Sequence, residues 1–316
     1  MSASLADLRV RGLRGIKPKA DAWRAHGSLV EHERRPDGST TRALTIFLTG
    51  SECPFTCVFC DLWRYTIDGP TPKGALPRQI AEALKAVEPP LPERLKLYNA
   101  SNFFEPRAVP PSDLPAIAEL CGEFAGVTVE SHANTIGERT LEFARQIPGK
   151  LEVAVGLETI HPAASATLNK RLDRGRFERA AALLGEHGID LRVFVLLGAP
   201  NIPTSETVEW TVRTASYAAT RGASTVSVIP VRAGNGELER LEALGRFSPP
   251  TLPQLEAALE QCLLHGARST VFTADLWDVD RLAGCPTCRT QRVERLRQMN
   301  ATGVAQPRIH CVACAG

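Results

Sequence analysis

Between residues 45 and 267 the chain repeats one pattern six times, a short apolar run followed by a longer amphipathic stretch. The apolar runs are TIFLTG (45–50), RLKLYNAS (94–101), GVTVESHAN (126–134), LEVAVGLET (151–159), LRVFVLLGAP (191–200) and STVSVIPVR (224–232). Their length and β-branched content predict strands. The stretches between and after them predict helices over 77–87, 112–124, 137–147, 177–189, 204–222 and 251–267; Gly188 is placed as a stop and Thr204 as an N-cap. Strands this apolar need cover on both faces, so the pattern predicts an α/β fold with a parallel sheet under helices. Six units are too few for a closed eight-unit barrel, which leaves a partial (βα)6 TIM-like barrel or a doubly wound sheet. In both, functional loops follow the C-terminal ends of the strands.

The first such loop, SECPFTCVFCDLW (51–63), holds Cys53, Cys57 and Cys60. The chain has 316 residues, 43% of them hydrophobic and 23% charged, which makes a soluble globular protein with a full-sized core. Its 37 Lys and Arg against 35 Asp and Glu give a net charge of +2, too small to argue for a polyanion partner from the global field. The N-terminus lacks a signal-peptide core and the longest apolar runs fall short of a membrane span, so a cytoplasmic location is expected. Nine cysteines in that compartment stay as thiols, and close clusters then read as metal sites. Structural zinc wants four closed ligands and this loop offers three. A 4Fe-4S cluster has four iron corners, so three thiolates leave one open to a ligand that is not protein.

CPFTCVFC has the CxxxCxxC form with an aromatic, Phe59, before the last cysteine, and sits after the first strand of a βα series. In this it resembles the radical S-adenosylmethionine superfamily. Residues 155–200, VGLETIHPAASATLNKRLDRGRFERAAALLGEHGIDLRVFVLLGAP, are similar to the branch containing the Elongator catalytic subunit and methylthiotransferases, nearest the radical subunit of archaeosine synthase. The resemblance covers about residues 43–235. It implies a cluster on Cys53, Cys57 and Cys60 whose open iron takes the methionyl group of S-adenosylmethionine, with a 5′-deoxyadenosyl radical abstracting a substrate hydrogen. It also implies Glu158 and Thr159 near cofactor or substrate, Asn169 and Lys170 at its carboxylate or ribose, and the stretch from Leu197 to Pro200 against the adenine. The superfamily's Gly-Gly-Glu-like motif is replaced by YNASNFFEP, where Asn99, Ser101 or Asn102 stand as substitutes or as turn residues. Glu130 and His132 follow the third strand and face the same choice between substrate contact and ordinary polar role.

The remaining cysteines divide in two. Cys121 and Cys262 sit among Leu and Ala on helices and read as core. Cys285, Cys288, Cys311 and Cys314 form two CxxC knuckles able to close a metal site. Their spacing leans to zinc and the company of a radical cluster leans to an auxiliary 4Fe-4S cluster. Around them Arg281, Arg289, Arg292, Arg295, Arg297 and Arg308 with His310 form a local basic excess, read either as a phosphate-steering surface or as an exposed helix. Trp63 and Trp277 read as packing residues, Trp63 shielding the cluster.

The expected organisation is an arm and hairpin over 1–42 turning at Pro36-Asp37-Gly38, a barrel over 43–270, and a Cys-rich extension over 271–316. The first 25 residues read as a surface arm or a disordered one. The implied partners are an external one-electron reductant of the flavodoxin or ferredoxin type and, by resemblance, a tRNA nucleobase. A small metabolite or peptide is the second substrate class. A non-enzymatic nucleic-acid-binding protein with zinc at both cysteine sets is the reading of another kind.

Overall fold

The computed structural model describes residues 4–314. Its strands form one eight-stranded sheet in chain order: β1 (Gly27–Arg34), β2 (Thr40–Phe47), β3 (Arg94–Tyr98), β4 (Gly126–Glu130), β5 (Lys150–Glu158), β6 (Asp190–Leu197), β7 (Ala223–Pro230) and β8 (Val271–Ala274). β1 and β2 are an antiparallel hairpin turned at Gly38, whose φ of +85° is open to glycine at no steric cost. From β2 to β8 all neighbours are parallel. The helices are α1 (Leu5–Gly12), α2 (Ala75–Lys85), α3 (Leu114–Leu120), α4 (Glu138–Gln146), α5 (Pro162–Thr167), α6 (Arg174–Glu186), α7 (Thr207–Thr220), α8 (Glu237–Ala243), α9 (Leu252–His265) and α10 (Arg289–Thr302).

The six predicted strands and six predicted helices are present with ends shifted by a few residues. Gly188 stops α6 in the left-handed region, at φ +67°. Thr204 does not cap α7: a short 3-10 turn over Thr204–Glu206 leads into it, because Pro203 fixes the entry. A seventh parallel strand, β8, lies beyond the boundary expected at 270. At four residues, VFTA, it is too short to stand out in the sequence.

One face of each strand meets the helices. Leu44, Ile46, Leu95, Leu97, Val127, Val129, Val153, Val155, Val193, Val195, Val226 and Val228 build that core with Ile80, Ile117, Phe143, Phe177, Leu184 and Leu259. Each such side chain contributes about 1.5–3 kcal/mol by leaving water. The other face carries charge. Lys96 on β3 pairs with Glu31 and Glu33 on β1, and Arg192 on β6 reaches Glu33 through both terminal nitrogens at 3.1 Å and Glu152 on β5 through Nε at 3.0 Å. Side chains of β1, β3, β5 and β6 meet only if the sheet curls about a lumen, so it is a partial barrel. Nearer the C-terminal ends Tyr98 stands edge-on to Phe194 at 6.4 Å, and Phe47 to Trp277 at 5.2 Å. Ion pairs and then aromatics therefore fill the lumen, leaving its C-terminal mouth for function.

α10 packs against α9, β8 and also β1, the two edge strands of the sheet. The Asn300 amide pairs with both N–H and C=O of Ala274 at 2.8 Å, so the free edge of β8 is terminated as another strand would terminate it. The tail is thus part of the barrel wall. Among the described residues no helix is long and apolar enough to cross a membrane.

Candidate active site

Cys53, Cys57 and Cys60 lie in the loop after β2, at the mouth. Burial pushes all three thiols up, Cys57 to about 12. Segments remote in sequence brace the loop. Asn235 donates to the carbonyl of Val58 at 2.6 Å while its Oδ1 accepts the N–H of Glu237 and Leu238 at the start of α8. The N-terminal segment, expected as a surface or disordered arm, is docked here. Asp7 of α1 accepts from the Thr56 hydroxyl, Asn169 and Arg171, and Val10 is buried against Val58 and Leu168. Burial alone would raise the Asp7 carboxyl, but bonds from Thr56, the Ser4 N–H and Asn169 outweigh it and hold it low. Trp63, three residues after Cys60, is buried with the guanidinium groups of Arg14 and Arg64 over its ring.

The ends of β3 and β4 supply the next wall. Asn102 donates from Nδ2 to the Cys53 sulfur at 3.4 Å, its Oδ1 fixed by the N–H of His132 at 2.8 Å. His132 stacks on Phe55 at 4.0 Å, and both ring nitrogens are engaged, with the Asn134 N–H and the Lys170 carbonyl. Burial and then the Lys170 charge hold His132 down to about 3, a neutral imidazole. Glu130 accepts the N–H groups of Asn99 and Ala100, and burial lifts it to about 7. It braces the YNASN turn from below. The Nδ2 of fully buried Asn99 and the Oγ of Ser101 have no hydrogen-bond partner among the described residues. Two orphaned polar atoms beside the cysteine loop are what a polar ligand there would satisfy.

β5 ends at Glu158, whose carboxylate pairs with Lys170 at 2.5 Å. Gly156 makes room for that pair: a Cβ on it would collide with Glu158 Oε1 and Lys170 Nζ. Burial opposes the Lys170 charge, yet Glu158 more than restores it, and the ammonium stands 5.9 Å from the Phe59 ring. Ala100, Glu158, Asn169 and Arg171 all have φ between +51° and +68°, left-handed strain gathered at one place. Asn169 bonds Thr56 and Asp7, so it joins the loop to α1. Thr159 turns to the His161 N–H, away from the pair, and Leu197 is buried in the helix-side core by strand alternation. Its neighbours Leu196 and Ala199 pack with Phe59 at the mouth instead. Trp277 is half exposed against Phe47 and Tyr98, not a core residue.

A groove of about 210 Å³ opens at the ends of β7 and β8, lined by Arg232, Pro250, Asp275, Asp278, Val279 and Leu282. Arg232 is paired with Asp275 and Asp278, and burial raises Asp275. Beside it the second cysteine set converges, Cys285, Cys288, Cys311 and Cys314 lying with all sulfurs within 4.8 Å. The basic excess around it is divided: Arg281, Arg297 and Arg308 are exposed, while Arg292 and Arg295 are buried. Arg292 and Arg295 are buried against Glu256 and Glu260 of α9, Arg308 pairs with Glu260, and Arg289 donates to the carbonyls of Val279 and Leu282. Cys121 and Cys262 are buried in the core as expected.

Asp7, Gly156 and Asn235 carry this site with no local signal of their own, whereas Asn102 is one of the three residues singled out in YNASNFFEP and stands on the Cys53 sulfur. The signal available was indirect: YNASN and GNGE are polar stretches at strand ends, where an α/β fold places its site.

No protein-family model and no curated protein matches the chain. Among solved structures, methylornithine synthase (PylB) superposes with a TM-score of 0.54 at 16% identity over 81% of this chain and 68% of that one. Elp3 of the archaeon Methanocaldococcus infernus gives 0.49 at 12% identity over 75% of this chain, which spans 60% of its length. Coproporphyrinogen III oxidase of Escherichia coli, described as a radical SAM enzyme, gives 0.46 at 12% over 68% and 50%. At such identities the likeness to methylornithine synthase shows a shared fold.

Proposed function

We propose that this chain, whose fold is the partial barrel found in radical S-adenosylmethionine enzymes, is itself such an enzyme. The observation that carries the proposal is the three-thiol loop at the barrel mouth, with orphaned Asn99 and Ser101 atoms beside it. The residues fit a 4Fe-4S cluster: Cys53, Cys57 and Cys60 would hold three of its irons, and His132, with both nitrogens engaged, is not free to ligate the fourth. That also weighs against zinc at the triplet and against the purely binding alternative. When bound there, the cluster would supply one-electron reduction of S-adenosylmethionine, the chemistry from which radical abstraction of a substrate hydrogen starts.

The chain's own groups bind, orient and seal. Asn99 and Ser101 offer polar partners to the methionyl head, Lys170 and Glu158 a charge pair to its carboxylate and amine, and Leu196, Ala199 and Phe59 an apolar wall to the adenine. Trp63 and the ion-paired, aromatic lumen keep water from the radical. The electron comes from a flavodoxin- or ferredoxin-like donor. A second metal, zinc or an auxiliary 4Fe-4S cluster, would be held by the C-terminal quartet, whose four sulfurs converge within 4.8 Å. For substrate, the resemblance of residues 155–200 supports a tRNA nucleobase. A small metabolite or peptide is favoured by a different observation, the burial of Arg292 and Arg295 against Glu256 and Glu260, which takes two of the tail's arginines away from a phosphate-steering surface.

The test is anaerobic incubation of the reconstituted protein with S-adenosylmethionine and dithionite. We expect 5′-deoxyadenosine from the wild type and none from Cys57→Ala; no iron uptake by the wild type would sink the proposal.

A further inference from the structure

The two cysteine sets differ in spacing. In the quartet Cys288 and Cys314 sulfurs are 3.8 Å apart, Cys285 and Cys311 4.0 Å, and all four lie within 4.8 Å. A tetrahedral ion with metal–sulfur bonds of about 2.3 Å sets its sulfurs about 3.8 Å apart. In a cubane each thiolate stands outside a different iron corner, which spreads the sulfurs to roughly 6 Å. No other group of three or more candidate ligands among the described residues is so compact, the Cys53–Cys57–Cys60 triplet included.

The quartet's surroundings are built around this compact form. Arg292, buried, donates from Nε to the Cys288 sulfur at 3.1 Å while its other arm holds Glu256 of α9. Arg295 takes the carbonyls of Gln306 and Pro307, and Arg308 takes Glu260, so the returning tail is laid back toward Cys285 and Cys288. Between the two knuckles runs α10, which covers both edges of the sheet.

We infer that Cys285, Cys288, Cys311 and Cys314 hold one four-coordinate zinc ion, and not an auxiliary cluster, and that this ion pins both ends of the α10 segment across the barrel seam. The inference rests on the second metal site proposed for the tail, and does not depend on radical chemistry at the triplet. It makes the quartet structural, because metal binding energy is added to the packing of α10. It also removes the quartet as a source of inserted sulfur.

The test uses the full chain, purified anaerobically and treated with iron and sulfide, with iron, labile sulfide and zinc counted. The triple variant Cys53→Ala, Cys57→Ala, Cys60→Ala is expected to keep one zinc and no iron. About four irons with sulfide in that variant would overturn the inference, as would a single iron without zinc. The pair Cys311→Ser, Cys314→Ser is expected to lose zinc, keep the wild-type iron, and be cut by trypsin after Arg308 roughly 10-fold faster. Should that pair fail to fold, a zinc chelator added to the wild type gives the same reading. Zinc loss with unchanged cleavage would overturn the clamp. Wild-type protein holding zinc but taking up no cluster would sink the radical proposal and leave this inference standing.

Discussion

Asn102 has one arm on the Cys53 sulfur and the other fixed by the His132 N–H. A hydrogen bond to a cluster thiolate stabilises the more negative, reduced state and so raises the potential. Asn102→Leu is therefore expected to keep the wild-type iron content and to shift the midpoint of the reconstituted cluster to a more negative value, read by electron paramagnetic resonance during a redox titration. An unchanged midpoint would show the contact to be incidental. Gly156→Ala puts a methyl group into the Glu158–Lys170 pair. S-adenosylmethionine should then bind about tenfold more weakly, some 1.4 kcal/mol, by equilibrium dialysis; wild-type binding would mean the pair yields freely. The cysteine triplet was legible because its signal is local, three residues within one loop. Asn102 and Asp7 meet that loop from 49 positions away and Asn235 from 177, distances at which spacing carries no information.

Strand alternation was legible on the helix side and not on the lumen side. The runs read as nearly continuous apolar strands, yet Glu31, Glu33, Lys96, Glu152 and Arg192 share their inner face and compensate one another. Arg192→Met would leave Glu33 and Glu152 buried with part of their countercharge gone, a loss of about 3–5 kcal/mol in urea unfolding at pH 7. Burial would raise both carboxyls, but Arg192 and its neighbouring cations hold them below their usual 4.5. A depressed carboxylate contributes stability that is full above the unfolded value and lost as pH falls toward the folded one. Wild-type stability should thus decline below about pH 4.5, and the gap between wild type and variant should narrow from pH 7 to pH 4. A gap that widens on acidification would mean these carboxylates are not the groups responsible. α1 makes the same point about elements: eight residues with charge throughout read as an arm, and only the buried Asp7 and Val10 turn it into a brace.

At the scale of the molecule, the chain closes its barrel with its own tail. Removing residues 275–316 is expected to abolish cooperative thermal unfolding, because β8 loses the Asn300 amide and the α9 face loses α10. A truncated chain that still melts cooperatively near the wild-type midpoint would make the tail an appendage after all. The succession of strands and helices, the position of the thiol loop after the first parallel strand, and the two CxxC knuckles that converge in the tail were all readable before folding, because each is written in periodicities or spacings of a few residues. That β8 and α10 complete the barrel, that the tail arginines turn inward to Glu256 and Glu260, and that Asp7, Asn102 and Asn235 hold the loop emerged only in three dimensions. Those outcomes depend on which buried charge or amide meets which partner after the sheet curls, a matter of long-range complementarity.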